Sequence, residues 1–428
     1  VTRRLLVLAF LVVALVGAVP GAVPPLPPAE WTLEQVKTLA DPTLEGRASG
    51  TAGADRAAAH IAAAFKAAGL TPAGESGTYL QSFSVPTGLR LGTPSTLAVV
   101  SPASRRFDFA KDFTPLSVSA DGSLTADLVF VGYGITAPDL GYDDYAGLDV
   151  RDKVVLVMTR EPRGQDSASP FRRDEARHYA GHEHKLINAR EHGAAAVLIV
   201  AHPRTEHARL PALGGQGRSL GILAVAVSGE TAETLLAPAG IKLGEVADAI
   251  DGALAPRSAP VMGVKVRVEA QVVRERGTAR NVIGLLPGTD PSLREQAIVI
   301  GAHYDHLGRG GESSLAPDQV GQIHPGADDN ASGTAVVMAL ARAFAGAGGA
   351  PRTLVFAAFS GEELGLLGSA EYVRRPAVPM DKTVLMANLD MVGRLREGRL
   401  YVGGIDSGAG LRPLVTEAAR DLSLALEL

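Results

Sequence analysis

The chain has 428 residues, 41 basic against 46 acidic side chains for a net charge of −5, 5% aromatic residues and no cysteine. At roughly 100–200 residues per domain, that length predicts two or three domains. The charge balance argues against a nucleic-acid binder, which needs a basic stripe, and the lack of cysteine excludes disulfides, thiolate zinc sites, iron–sulfur clusters and cysteine nucleophiles.

Arg3 and Arg4 precede an apolar run, Leu5 to Val19, shorter than the roughly 20 residues that a spanning helix needs. The basic flank, the short apolar stretch and the small residues Gly17 and Ala18 read as a secretory signal cut near Ala18, with an uncleaved membrane anchor as the rival. The expectation is a secreted or periplasmic protein, with residues 1–22 as signal and start of a linker, and no membrane contact beyond that segment. The Pro-rich residues 23–30 read as an extended linker. Helices are predicted over Trp31–Ala40 and Asp55–Ala68, the second stopped by Gly69.

Residues 97–273 read as a separate, β-rich unit. Aliphatic runs at Leu128–Val131, Val154–Met158, Val197–Val200 and Ile222–Val227 are divided by Gly, Pro and Asp clusters, the pattern of strands and turns. A helical stretch, Glu175–Glu191, interrupts them. Val264, Val266, Val268, Ala270 and Val272 alternate with Lys265, Arg267, Glu269 and Gln271, as in a strand with one solvated face. From Asn281 the rhythm changes. Strands over Ala297–Ala302, Thr353–Phe359 and Thr383–Leu389 alternate with helices over Ser332–Phe344 and Glu363–Arg374. This predicts the α/β class, with a mixed, largely parallel sheet flanked by helices.

His303 and Asp305 follow the first of these strands, Glu362 and Glu363 follow the second, and Asp390 ends the third. Sites in open α/β sheets form beyond the carboxyl ends of the strands, so consecutive strands deliver these side chains to one sheet edge. Asp328-Asp329-Asn330 precedes the helix that returns from it. One imidazole with several carboxylates and no sulfur suits zinc, manganese or cobalt. The carboxylates suffice for two metals, one of them bridging, and two nearby ions clamp the attacking and leaving oxygens of a hydrolysis. Of the adjacent Glu362 and Glu363, one can ligate a metal while the other handles a proton.

Rival readings fit less well. Asp328–Gly333 mimics the start of a calcium loop, whose twelfth position must be Glu and here is Ala339. Ser360, between Ala358 and Glu362, lacks the Gly-x-Ser-x-Gly frame of a nucleophile elbow. His178, His182 and His184 read as a solvated polar helix face, and His306 and His324 as loop hydrogen-bonding residues.

Four segments occur in order: Gly301-Ala302-His303-Tyr304-Asp305-His306-Leu307-Gly308, Gly326-Ala327-Asp328-Asp329-Asn330-Ala331-Ser332-Gly333, Phe359-Ser360-Gly361-Glu362-Glu363 and Asn388-Leu389-Asp390-Met391. Together they resemble the co-catalytic dizinc aminopeptidases, the family of the bacterial leucine aminopeptidases and aminopeptidase Y, with glutamate carboxypeptidase and glutaminyl cyclase as relatives. Gly132-Tyr133-Gly134, Lys153-Val154-Val155-Leu156-Val157 and Gly193-Ala194-Ala195-Ala196-Val197 are similar, more loosely, to an inserted protease-associated domain. Leu44-Glu45-Gly46-Arg47 resembles the family's N-terminal region.

The resemblance implies a zinc-aminopeptidase-type catalytic domain split into residues 23–96 and 274–428, with the protease-associated domain at 97–273. It implies two divalent metal ions, zinc by family habit, held by His303, Asp329, Glu363 and Asp390, with Asp329 bridging. It implies that Asp305 orients His303 from behind, that Asp328 is structural, and that Glu362 is the general base. The partner implied is a peptide with a free N-terminus, and no nucleic acid.

One departure stands out. The family has a further His ligand far beyond the Asp390 position, whereas the last of the 10 histidines here is His324. The expectation is a chain cut short at its C-terminus, with a natural variant holding one occupied metal site as the alternative. The function expected is an exported metal-dependent aminopeptidase. An inactive peptidase scaffold that only binds, and carboxypeptidase or glutaminyl cyclase chemistry on the same site, are the alternatives.

Overall fold

The computed structural model describes residues 24–92, 94–213, 218–310, 319, 321–394, 398–420 and 425–428. The apolar run Leu5–Val19 lies outside the described residues. No helix among those described is long and apolar enough to cross a membrane. The chain divides into two compact units, Val1–Thr87 with Arg276–Leu428, and Gly88–Glu275. Both divisions fall within strands, Leu80–Leu91 and Val272–Leu286, rather than at positions 97 and 273.

The first unit holds α1 (Ala29–Leu39), α2 (Ala52–Ala67), β1 (Val272–Leu286), β2 (Ala297–His303), α3 (Gly333–Gly346), β3 (Thr353–Phe359), α4 (Leu367–Arg374) and β4 (Thr383–Asn388). Its sheet runs Thr71–Pro72, β1, β3, β2, β4, with Leu80–Leu91 also paired to β1. Parallel β2 lies between β3 and β4, while β1 is antiparallel to β3. The sheet is therefore mixed, and its parallel part is the part that carries the polar clusters.

β2 and β3 are buried along their whole length, which explains why both read as unbroken apolar runs. Ile298, Ile300, Ala302, Leu354, Phe356 and Ala358 share one core with Ile61 and Phe65 of α2 and with Val336, Leu340 and Phe344 of α3. Val299, Val355, Ala357 and Phe359 share another with Tyr372 of α4. Alternate residues of each strand thus serve opposite faces, and helices cover both.

The helix ends follow local rules. At α2 the Thr51 hydroxyl accepts from the Ala54 amide, and the Leu70 amide, just past Gly69, returns to the Phe65 carbonyl at 3.1 Å. The helix expected from Glu363 starts only at Leu367. Gly365 and Leu366 adopt φ of 94° and 61°, and left-handed residues cannot continue a right-handed helix. A turn replaces its first part, with the Gly365 and Leu366 amides both donating to the Glu362 carbonyl.

The second unit is built on an eight-stranded sheet. Gly122–Phe130, Val154–Met158, Ala196–Val200 and Leu223–Val227 form its parallel centre. Leu128, Leu156, Leu198 and Val225 pack with Leu235, Leu243 and Ile250, whereas Val129, Val155, Val197 and Ala224 pack with Leu186 and Ala189. The β-rich unit is thus a mixed sheet with helices on both faces. The helix expected over 175–191 is divided at Gly181 into a 3₁₀ segment, Asp174–Ala180, and an α-helix, His182–Glu191. The alternating Val264, Val266, Val268 and Ala270 are buried within the strand Ala259–Ala270, and Val272 opens the next strand.

Phe65 is fully buried, 6.5 Å from Phe356 and 6.4 Å from Tyr79 between ring centroids. Phe65→Ala is expected to lower the unfolding free energy of this unit by about 3–5 kcal/mol, read as a lower urea midpoint. An unchanged midpoint contradicts the packing described.

Candidate metal centre

Among the described residues, the carboxyl end of β2 supplies the only histidine that sits in a strand of this sheet. His303 is 3% exposed, and its carbonyl accepts from Thr334 Oγ1 of α3 at 2.8 Å. Its Nδ1 bonds to the backbone carbonyl of Asp305 at 3.1 Å, while the nearer Asp305 carboxylate oxygen is 3.6 Å away, beyond a hydrogen bond. Asp305 therefore orients His303 through its main chain. Its fully buried carboxylate instead takes Ser49 Oγ at 3.0 Å and the Glu362 amide at 3.3 Å.

His303 Nε2 faces two carboxylates, Asp329 Oδ1 and Asp390 Oδ1, each at 3.3 Å. The other oxygen of Asp329 lies 3.7 Å from His306 Nδ1, which in turn lies 2.7 Å from Glu363 Oε1. Two ligand clusters result, His303–Asp329–Asp390 and His306–Asp329–Glu363, each with its donor atoms within 4.8 Å of one another. Asp329 belongs to both. In a tetrahedral site with bonds of about 2.0–2.1 Å, ligand atoms lie about 3.3 Å apart. The first cluster matches that spacing, so its residues fit a divalent metal, whereas in the second His306 and Glu363 lie at hydrogen-bond distance.

Electrostatics at the site favour a cation. Burial pushes the His303 imidazolium down, but Asp305, Asp329 and Asp390 outweigh it and raise the group to about 12. Contact with His303, with His306 and Arg47 nearby, holds Asp329 below the ordinary carboxyl value. Burial, with Glu363, Asp305 and Asp390 adding to it against His303, raises the Glu362 carboxyl. Glu362 lines a cavity of about 250 Å³ with His303, Asp390, Phe359, Leu366 and Met386.

All the residues singled out in the sequence, His303, Asp305, Asp329, Glu362, Glu363 and Asp390, converge here. Asp328 turns away as expected, accepting from the Gly393 amide at 2.7 Å and pairing with Arg394. His306, expected as a loop hydrogen-bonding residue, does bond, but inside the cluster. His324 stays in its loop, its amide donating to the Gly308 carbonyl at 2.8 Å. His178, His182 and His184 join no ligand group among the described residues.

Sequence reasoning passed over three supports. Asn330, fully buried, donates to the Leu389 carbonyl at 2.9 Å and accepts from the Met391 amide at 3.2 Å, tying the Asp329 loop to the Asp390 loop. Ser49 Oγ also accepts from the Gly361 amide at 2.7 Å. Arg47 is fully buried and donates to the carbonyls of Tyr304, Pro325, Gly326 and Leu39. Glu45, Gly46 and Arg47 all take left-handed φ, 49°, 69° and 52°, a turn that aims Arg47 inward. A Cβ on Gly46 would come within 2.4 Å of the Gly308 carbonyl oxygen. The run Leu44–Arg47 was visible as a motif, but nothing in it announced a buried guanidinium.

The model of the family described as "Peptidase family M28" matches from Asn281 to residue 427, across all four polar clusters. Residues 281–427 are thus similar to peptidase family M28. Residues 124–235 match the PA domain, within the second compact unit. An aminopeptidase of Pseudomonas aeruginosa is 28% identical over 322 residues, 74% of this chain and 50% of that one. Aminopeptidase YwaD of Bacillus subtilis is 27% identical over 281 residues, 64% of this chain and 48% of that one. The chain thus spans about half the length of these curated relatives. The aminopeptidase from Aneurinibacillus sp. strain AM-1 has a similar fold, at 23% identity and TM-score 0.51 over 93% of this chain and 83% of that one. The M28 segment contains both ligand clusters, whereas Arg47 and Ser49 reach it from the N-terminal side.

Burial draws the Arg47 guanidinium down to about 10, while Asp305, Asp329 and Glu363 hold it charged. Arg47→Leu is expected to cost about 3–5 kcal/mol of stability, because it strands buried carbonyls and uncompensated carboxylates. A thermal melt reads this directly, and an unchanged melting temperature contradicts it.

Proposed function

We propose that this chain is the metal-binding part of an exported aminopeptidase that removes N-terminal residues from peptides. The observation that carries the reading is the placement of Asp329, with one oxygen toward the His303 cluster and the other toward Glu363 and His306. A carboxylate shared in this way is what a two-metal site requires. The names of the Pseudomonas and Bacillus relatives support aminopeptidase chemistry.

In this reading His303, Asp329 and Asp390 hold one ion, and Asp329 with Glu363 the other. Bound divalent ions, zinc by the imidazole and carboxylate donor set, supply Lewis acidity at the scissile carbonyl and an acidified water. Glu362 takes the proton of the attacking water on its carboxylate and returns it to the leaving amine. Its raised carboxyl moves it toward the proton affinity that a general base needs near neutral pH. Phe359, Leu366 and Met386 give the first side chain of a peptide an apolar wall, and the neighbouring carboxylates receive its ammonium group. Asp305 holds the Glu362 backbone and His303 in register from below.

Glu362→Gln in the metal-loaded full chain is expected to lower kcat on an aminoacyl p-nitroanilide by about 10²–10⁴-fold, with zinc content unchanged. Undiminished turnover overturns the role given to Glu362. Export rests on Arg3, Arg4 and the run Leu5–Val19. N-terminal sequencing of the secreted product is expected to begin just after Ala18, and an intact N-terminus on a cell-retained protein overturns it.

A further inference from the structure

We propose that the second unit binds a free α-amino acid with an apolar side chain, at a site that lies wholly within that unit and is independent of the metal centre. What carries the proposal is a cavity of about 950 Å³ in which a buried carboxylate and a guanidinium, Glu161 and Arg160, are neighbours in sequence and both stand without a partner.

The cavity opens beyond the carboxyl ends of three parallel strands, Val154–Met158, Ala196–Val200 and Leu223–Val227. Thr159, Arg160 and Glu161 follow the first strand, Ala201 the second, and Ser228 and Gly229 the third, and all six line the cavity. This is where open α/β sheets place their ligands. Leu116, Ile199, Leu210, Pro211, Ala226 and Val227 supply an apolar wall. The volume lies in the range of small-molecule sites, about 300–1,000 Å³, and has room for the largest apolar side chains.

Glu161 is 9% exposed, yet among the described residues its carboxylate accepts no hydrogen bond and joins no ion pair. It is pressed over Gly164, where an added Cβ would come within 2.9 Å of Oε1. Buried Lys185 feels its charge, but the Lys185 ammonium is committed to the Tyr133 carbonyl at 2.5 Å. A carboxylate taken out of water without hydrogen bonds is costly, so the site lacks a donor. Arg160, among the described residues, likewise donates no side-chain hydrogen bond and joins no ion pair. It takes φ of 68°, a left-handed conformation that residues other than glycine seldom adopt and that gathers at ligand sites. The loop that carries the two is pinned on both sides. The Thr159 amide donates to the Val200 carbonyl at 2.9 Å, the Arg163 amide to Asp251 Oδ1 at 3.0 Å, and Arg163 Nη2 to the Gly252 carbonyl at 2.8 Å. The fold thus fixes the backbone and leaves both charged side chains unused, not even paired with each other.

A zwitterion bridges them, with its ammonium on Glu161, its carboxylate on Arg160 and its side chain against the apolar wall. An α-amino acid carries the two charges on adjacent groups and a single apolar substituent. Lys111 and Arg209, exposed on the same cavity, outweigh Glu161 in charge, so an ammonium alone fits less well than one accompanied by a carboxylate.

Isothermal titration calorimetry of L-leucine into the full chain tests this. L-leucinol lacks the carboxylate and N-acetyl-L-leucine lacks the ammonium. Each is expected to bind at least about 10-fold more weakly than leucine, the cost of losing a charged hydrogen bond. Glu161→Gln, which keeps the size of the side chain, and Arg160→Gln are each expected to weaken leucine by a similar factor. The Arg160 side chain bonds to nothing in the fold, so its variant decides the matter even where Glu161→Gln folds poorly. A wild type that binds no leucine overturns the proposal. So does leucine bound equally by the wild type and both variants, or leucinol or N-acetyl-leucine bound as tightly as leucine.

Discussion

The buried guanidinium of Arg47 is the constraint on which the site depends. Asp305, Asp329 and Glu363 gather around the end of one buried strand, and their mutual repulsion in a low-dielectric setting needs a fixed positive charge. Arg47 supplies it from within the fold, with no measurable exposure. Its fork also spans the carbonyls of Tyr304, Pro325 and Gly326, which lie on the two loops that carry His306 and Asp329. A lysine offers one charge point and lacks that planar reach. The same group therefore balances charge and sets the spacing between loops.

Around this point the polar groups form a continuous frame. Fully buried Asn281 donates to Gln81 Oε1 at 2.9 Å and to the Gly368 carbonyl at 2.8 Å, and accepts from the Ser360 amide at 3.1 Å. Ser49 links Ser360, Gly361 and Asp305. Asn330 links the loops after β2 and β4. Each of these side chains satisfies backbone groups that a loop beside a buried strand end would otherwise strand, at a cost of about 1–3 kcal/mol apiece. Loops held this way keep their carboxylates in place despite their charge.

Much of this was legible in the sequence, for a physical reason. Buried parallel strands must be continuous apolar runs, and a polar residue directly after such a run can only lie at the sheet edge. That logic located His303, Asp305, Glu362, Glu363 and Asp390 from their positions alone, and the four motifs singled out Asp329. What stayed hidden depends on contacts across long sequence separations. Arg47 and Tyr304 lie far apart in the chain, and no local pattern marks a guanidinium that will be buried. The helix start at Leu367 was missed because helical periodicity outweighed Gly361 and Gly365 in the reading, although two glycines flanking Glu362 and Glu363 fit a turn better. His306 was discounted because a lone loop histidine is most often a solvated or hydrogen-bonded one. Only the approach of Glu363 and the space left by Gly326 set it apart.

The charge balance gives the site its direction. Asp305, Asp329 and Glu363 interact with the charged Arg47, and Asp305, Asp329 and Asp390 raise the His303 imidazolium to about 12. A histidine held so far above its ordinary value of about 6.5 marks a place where positive charge is missing. A proton on Nε2 and a metal ion compete for the same lone pair, and only the ion also satisfies Asp329 and Asp390 at once. Zero cysteine fits the same economy: a site that draws its charge complement from hard and borderline ions has no use for thiolates.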